Sequence, residues 1–158
     1  MQEIIKNLDL HFQGVWICVV ISVILFLLSL IIPKRNITWK EQYITFGIVG
    51  VATWICDAIL FRVIDLLDLG HPTKTGLGDI LAYTFIPTSL AILFLNFLTE
   101  NNKWKLSLLF SFISSLIEIT LYLSGYLQTK SWSIPISFIL FIFVYRFILP
   151  LHLKIIRR

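Results

Sequence analysis

Four ionisable residues fall inside long apolar runs of the chain: Asp57, Arg62, Glu118 and Arg146. A charge at the centre of a lipid bilayer costs about 2.5–3.5 kcal/mol on insertion scales, so such groups are expected to pair with one another or to face a wet cavity. Glu118 carries the clearest pattern. At about 100° of helical turn per residue, Ser107, Ser111, Ser114, Glu118, Tyr122 and Gly125 fall within about 40° of one line. The remaining faces of that stretch are Leu, Ile and Phe. A stripe of small and polar side chains on a greasy helix has to look at other helices or at water. The seam expected from this pattern comprises Asp57, Arg62, Ser111, Ser114, Glu118, Tyr122 and Arg146, and residues 106–127 are expected to be the segment around which the rest is organised.

Counting from the centre of each run, Asp57 and Glu118 lie at similar depth toward one side, and Arg146 lies toward the other, within reach of Glu118 if their helices touch. Arg62, nearer a run end, can snorkel and find Asp65 one turn on. Two acids at one depth can share a proton and titrate as a pair. That chemistry suits a proton or cation relay or a polar-headgroup site. The plainer role is hydrogen-bond glue between helices, worth about 0.6–2 kcal/mol per bond.

Other constellations carry less. Asp65, Asp68, His71 and Asp79 could gather a cation on the outer face, but a solvated loop explains them better. His11, His71 and His152 sit on different segments, and no His-Glu-x-x-His, Gly-x-Ser-x-Gly or phosphate-loop pattern is present. No catalytic residue, metal site or cofactor is expected. Cys18 and Cys56 lie in different apolar runs without disulfide or zinc spacing, and read as small buried residues. Tyr122, Tyr126 and Trp132 could line a headgroup site or anchor the chain at an interface.

These residues need helices to hold them. The chain has 158 residues, of which 58% are hydrophobic and only 14% charged, far from the quarter charged that a soluble domain carries. The fold class expected is all-α, a polytopic membrane helix bundle with spans at about 14–32, 43–67, 79–98, 106–127 and 132–153 forming one domain over residues 13–158. Residues 1–12 place Met1, Ile4, Ile5, Leu8 and Phe12 on one face and read as a short interfacial amphipathic helix. Residues 14–32 have their basic residues after the apolar run and no small-residue cleavage site, so a retained helix is expected. Gly47 and Gly50 would let a neighbouring backbone approach, Asp79 is placed to cap a helix start, and Pro87 should kink its helix.

With five spans, Lys34, Arg35, Lys40, Lys103, Lys105, Lys154, Arg157 and Arg158 fall on one side, eight in all, against Lys6, Lys74 and Lys130 on the other. The basic side should be cytoplasmic, which places the N-terminus outside and the C-terminus inside. Trp16, Trp39, Trp104 and Trp132 lie near span ends, as interface anchors do. The net charge of +4 is too small and too scattered for nucleic acid. The partners expected are the lipid bilayer and, through small-residue faces on the first two helices, a second copy or another membrane protein.

Three likenesses add to this. Pro33-Lys34-Arg35, Thr53-Trp54, Tyr83-Thr84-Phe85-Ile86-Pro87 with Asn96, Ile117-Glu118, Gly125-Tyr126-Leu127, Trp132 and Arg146-Phe147 resemble, in order and spacing, a family of small multi-pass membrane proteins of low-GC Gram-positive spore formers. The likeness covers roughly residues 31–147, with Gly78-Asp79 standing where that family tends to have Phe-Glu. It implies a bacterial plasma-membrane location and no particular activity. Gly76-Leu77-Gly78-Asp79 is similar to the Gly-x-Gly-Asp signature of intramembrane aspartyl proteases, with Asp57 as the implied partner acid. Ser133-Ile134-Pro135 stands where that family has Pro-Ala-Leu, and Cys56 where it has Tyr. Phe46-Gly47-x-Val49-Gly50 is similar in outline to four-span proteins that help move lipid-linked sugars.

The function expected is that of a small integral membrane protein without enzymatic activity, a transport, lipid-handling or complex-building subunit with its polar seam around Glu118. The alternatives are a proton- or cation-coupled small transporter using Glu118 and Asp57, and an intramembrane aspartyl protease using Asp57 and Asp79.

Overall fold

The computed structural model describes residues 8–72 and 74–158. Helix α1 spans Val15–Ile31 and α2 spans Trp39–Asp57, the latter running on with π-helical winding through Ala58–Val63. Helix α3 spans Leu77–Phe97 and α4 spans Lys103–Leu123. Helix α5, Ile134–Phe143, continues through a second π-helical stretch, Val144–Ile148, into α6, Leu149–Ile156, as one rod. Two three-residue strands, β1 (Leu67–Leu69) and β2 (Leu127–Thr129), pair antiparallel with Asp68 opposite Gln128.

The chain is therefore helical, as its composition requires. Four segments, Trp39–Leu60, Leu77–Phe97, Lys103–Leu123 and Ile134–Ile156, are long and apolar enough to cross a membrane. Helix α1 is equally apolar but has 17 residues, about 26 Å at 1.5 Å per residue against a hydrocarbon core of about 30 Å. Of the amphipathic segment expected at residues 1–12, residues 1–7 lie outside the described residues, and residues 8–12 form turns with Asp9 at φ 50° rather than a helix. The helix expected over 106–127 begins earlier and stops at Leu123, because Gly125 takes φ +78° and turns the chain into β2.

The centre of the bundle is α3, not the Glu118-bearing segment. Its two faces pack on α1 and α2, and α4 flanks it. Among its large apolar side chains only Ile80 is exposed, whereas every other long helix shows an apolar ridge at four-residue spacing, such as Ile139, Phe143, Phe147, Leu151 and Ile155 on the last rod. Contiguous apolar ridges of that kind suit a membrane or a protein partner. The sequence of α3 explains its place. It is apolar all round and interspersed with Gly78, Ala82, Ser89 and Ala91, which suits a helix surrounded by others. Pro87 removes one helical donor within it, and the Thr88 hydroxyl donates to the carbonyls of Thr84 and of Phe85 (3.2 Å) in the preceding turn.

Aromatic side chains fasten both flanks of α3. Phe26, Phe46 and Phe85 join α1, α2 and α3 with ring centroids 4.6–6.1 Å apart. Phe94, Phe110 and Tyr145 join α3, α4 and the last rod at 5.0–5.7 Å. Gly50 lets α2 approach Thr88 of α3, but Gly47 faces open space, so only one of the two glycines works at a helix contact.

One end of the bundle gathers most of the basic residues. There the buried Asn96 carboxamide accepts from the backbone N–H of Arg35 (2.8 Å) and of Asn36 (3.4 Å) and donates to the Pro33 carbonyl (3.0 Å). Thr38 and Glu41 cap α2 reciprocally, and Arg157 bonds Glu41 at 2.6 Å, tying the chain's end to the α1–α2 turn. At the opposite end the Cys18 thiol meets the Gly78 carbonyl at 3.5 Å, so α1 lies alongside α3 from one end to the other and runs in the same direction. Cys18 is buried as expected, but Cys56 is exposed, because it lies on the outer side of α2.

Asn96→Ala removes three hydrogen bonds at a buried turn. Unfolding in detergent should show a loss of about 2–3 kcal/mol, at roughly 1 kcal/mol per bond.

Candidate functional site

Away from the basic end, the chain builds a cavity of about 240 Å³. Asp57 enters it from the end of α2, Arg62 from the π-helical extension, Asp65 and Asp68 from the approach to β1, and His71 and Lys74 from the loop that follows. Asp79 and Tyr83 come from the first turns of α3, and Lys130 from just beyond β2. Four carboxylates and three fixed cations thus share one concavity.

The local winding decides which charges meet. Residues five apart on an α-helix point about 140° apart around the axis. The i→i+5 winding of Ala58–Val63 closes that angle, and Arg62 Nε comes to 3.9 Å from the Asp57 carboxylate while its terminal nitrogen donates to Thr75 (2.9 Å). Arg62 therefore does not pair with Asp65, as α-helical counting suggests. Asp65 instead takes φ 57°, a left-handed conformation that Asp tolerates, and binds Lys130 at 2.5 Å. Lys130 also reaches Asp68 at 2.9 Å. The two carboxylates, Asp65 first, hold the exposed Lys130 ammonium above its ordinary range. Of the four residues that could have gathered a cation, Asp65 and Asp68 hold the chain's own Lys130, and no cluster of three or more His, Cys, Asp or Glu suited to a metal occurs among the described residues.

Strand pairing fixes Lys130 in place. The backbone N–H groups of Lys130 and Ser131 both donate to the Leu66 carbonyl, at 3.0 and 3.1 Å.

Asp79 caps α3 as its position suggests, through the Gly76 N–H (2.9 Å), and its other oxygen accepts from the Tyr126 hydroxyl at 2.5 Å. Burial, and then the bond to Asp79, push the Tyr126 hydroxyl above its ordinary range. Gly78 makes this contact possible, since a Cβ there would overlap the Tyr126 hydroxyl, and Gly70, at φ +63°, lies against the same pair. The Gly-Leu-Gly-Asp run is therefore a packing device around one buried hydrogen bond. Asp57 and Asp79 do line one cavity, with Tyr83 interacting with Asp57. Each oxygen of Asp79 accepts one hydrogen bond from this chain.

Glu118 faces α5. One carboxylate oxygen accepts from Ser137 at 2.6 Å, and the Ser137 oxygen in turn accepts from the Trp132 indole at 2.7 Å. The other oxygen is buried and has no hydrogen-bond partner among the described residues, as is true of the hydroxyls of Ser111 and Ser115 on the same helix. Ser114 shares a hydrogen bond with Tyr145 at 2.9 Å. The stripe through Ser111, Ser114 and Glu118 does look inward, but four members of the expected seam do not join it: Asp57 and Arg62, which line the cavity, Tyr122 and Arg146. Tyr122 is 45% exposed, because α4 is ending and the chain is about to turn. Arg146 lies nine residues beyond Ser137, about 13 Å along the rod, too far for Glu118. Its guanidinium stacks over Trp104 at 4.8 Å instead. Glu118 and Asp57 also belong to different places, the α4–α5 seam and the cavity.

Tyr83, Lys74, Lys130 and the Asp79–Tyr126 bond were outside the expected site. Lys74 and Lys130 read as loop charges, and only the strand pairing brings Lys130 to the cavity; the Gly-x-Gly-Asp spacing was the one local signal for the Tyr126 contact.

Glu118→Gln keeps an oxygen for Ser137 and should leave stability within about 1 kcal/mol, whereas Ser137→Ala strips the buried carboxylate of its donor and should cost about 1–3 kcal/mol in the same unfolding measurement. Gly78→Ala should cost a further about 1–3 kcal/mol through overpacking, relieved by Tyr126→Phe in a double mutant. Comparison of the chain with protein-family models, with curated proteins and with solved structures found no match.

Proposed function

We propose that this is a non-enzymatic, lipid-handling protein of a bacterial plasma membrane that holds a polar headgroup in the charged cavity. The observation carrying this reading is a concavity of about 240 Å³ whose wall mixes Asp57, Asp79, Arg62 and Lys74 at the end of lipid-embedded helices. A zwitterionic headgroup has an amine for the carboxylates and a phosphate for Arg62 and Lys74. Lys130 is committed to Asp65 and Asp68, but Arg62 is 53% exposed and only loosely placed against the buried Asp57, so a ligand amine can share that carboxylate. Ile59, Val63, Ile64 and Ile80 leave apolar surface exposed on the same segments, where acyl chains can lie.

The reading includes five crossings with the N-terminus outside, as the distribution of Lys and Arg favours. The short α1 supports it by running beside α3 from Gly78 to Asn96, the full length of a helix that is itself long enough to span. The cavity then opens in the outer leaflet. Kinship with the small multi-pass proteins of low-GC Gram-positive spore formers fits the same reading.

In nanodiscs, phosphatidylethanolamine should raise the unfolding temperature relative to a phosphodiester lipid that lacks the charged amine, such as phosphatidylethanol. Asp57→Asn should weaken that preference about tenfold, equivalent to ~1.4 kcal/mol. Equal stabilisation of wild type and variant by both lipids would remove the proposal.

A further inference from the structure

The last rod carries a cation that the described residues do not neutralise. Arg62 has Asp57 and Arg157 has Glu41, but Arg146 makes no ion pair among the described residues, and its Nε is buried without a hydrogen-bond partner. Its guanidinium lies over the Trp104 ring at 4.8 Å and the Phe147 ring at 5.4 Å. Like Arg62, it sits on a π-helical stretch, Val144–Ile148, a kind of winding that is common at functional positions. On its side of the rod Phe143 and Phe147 are exposed and Ile142 and Pro150 half-buried, so the group stands at the edge between the bundle and its outward apolar surface.

We propose that Arg146, rooted midway along the last rod and braced by Trp104 at the start of α4, reaches toward the basic end of the bundle and binds the phosphate of an anionic phospholipid. A guanidinium offers a planar fork of donors that matches phosphate, and stacking on an indole holds that plane while leaving its edge free. Trp104 lies at the start of α4, at the level where indoles meet headgroups. Lys103 is occupied by Glu100 at 2.6 Å, whereas Lys105 is exposed and adds to the positive field. The apolar side chains flanking Arg146 select a lipid over a free anion, because they give the acyl chains a surface to cover. This site lies at the other end of the molecule from the charged cavity and does not depend on it.

The test uses the full chain in phosphatidylcholine nanodiscs, with and without phosphatidylglycerol, reading unfolding temperature and the lipids retained in native mass spectrometry. Wild type should retain phosphatidylglycerol over phosphatidylcholine by about five- to tenfold. Arg146→Gln should abolish the preference, Arg146→Lys should keep part of it, and Lys130→Gln, at the opposite end, should leave it whole. Trp104→Phe, which keeps every charge, should weaken it and serves if Arg146→Gln does not fold. Retention of the full preference by both Arg146→Gln and Trp104→Phe would overturn the proposal. So would inorganic phosphate stabilising the protein in phosphatidylcholine as well as phosphatidylglycerol does.

Discussion

A helix enclosed by other helices must find partners for its polar groups among its neighbours, because lipid offers none. Helix α3 is built to that constraint at both ends. At one, Asp79 closes the helix start and takes the Tyr126 hydroxyl; at the other, Asn96 serves three backbone groups of the α1–α2 turn. Each is a buried polar side chain that fixes a loop belonging to a different part of the chain. The aromatic triads then set how far α1 and α2 on one flank, and α4 and the last rod on the other, stand from α3. Position along the bundle is thus set by hydrogen bonds, and lateral spacing by packing.

The charges near the membrane fall under the same constraint and meet it in three ways. Asp57 and Arg62 are brought together by local winding, and Asp65, Asp68 and Lys130 by the pairing of two strands distant in sequence. Glu118 is met by a neutral donor, Ser137, in place of a base. Where two or more of these charges gather at a helix end, a concavity results that is polar yet bordered by apolar helix surface.

Much of this was legible in the sequence, and the parts that were not share a cause. The five apolar segments, their ends to within a few residues, the capping by Asp79 and the inward face of Ser111, Ser114 and Glu118 follow from periodicity and composition, which are local properties. The central role of α3 was overlooked because a lone acid in a greasy stretch is a louder signal than Gly, Ala and Ser spread evenly round a helix. Arg62 departs from its expected partner because it lies on a π-helical stretch, where counting at 100° per residue fails, and Arg146 because depth within a run does not tell which level of the neighbouring helix it faces. Lys130 was missed because three residues of strand pairing carry no periodic mark.

The two π-helical stretches deserve to be considered together, since both arginines in the long apolar runs ride on them. An extra residue in a helical turn costs hydrogen-bond geometry and gains a rotation of everything beyond it. In α2 that rotation turns Arg62 back to Asp57 and so neutralises both within one segment. In the last rod no acid stands at the corresponding place, and Arg146 is carried to an indole on a different helix. An indole face steadies a cation without cancelling its charge. The first arginine is neutralised within its own segment, while the second keeps its charge beside Trp104 without an ion pair among the described residues.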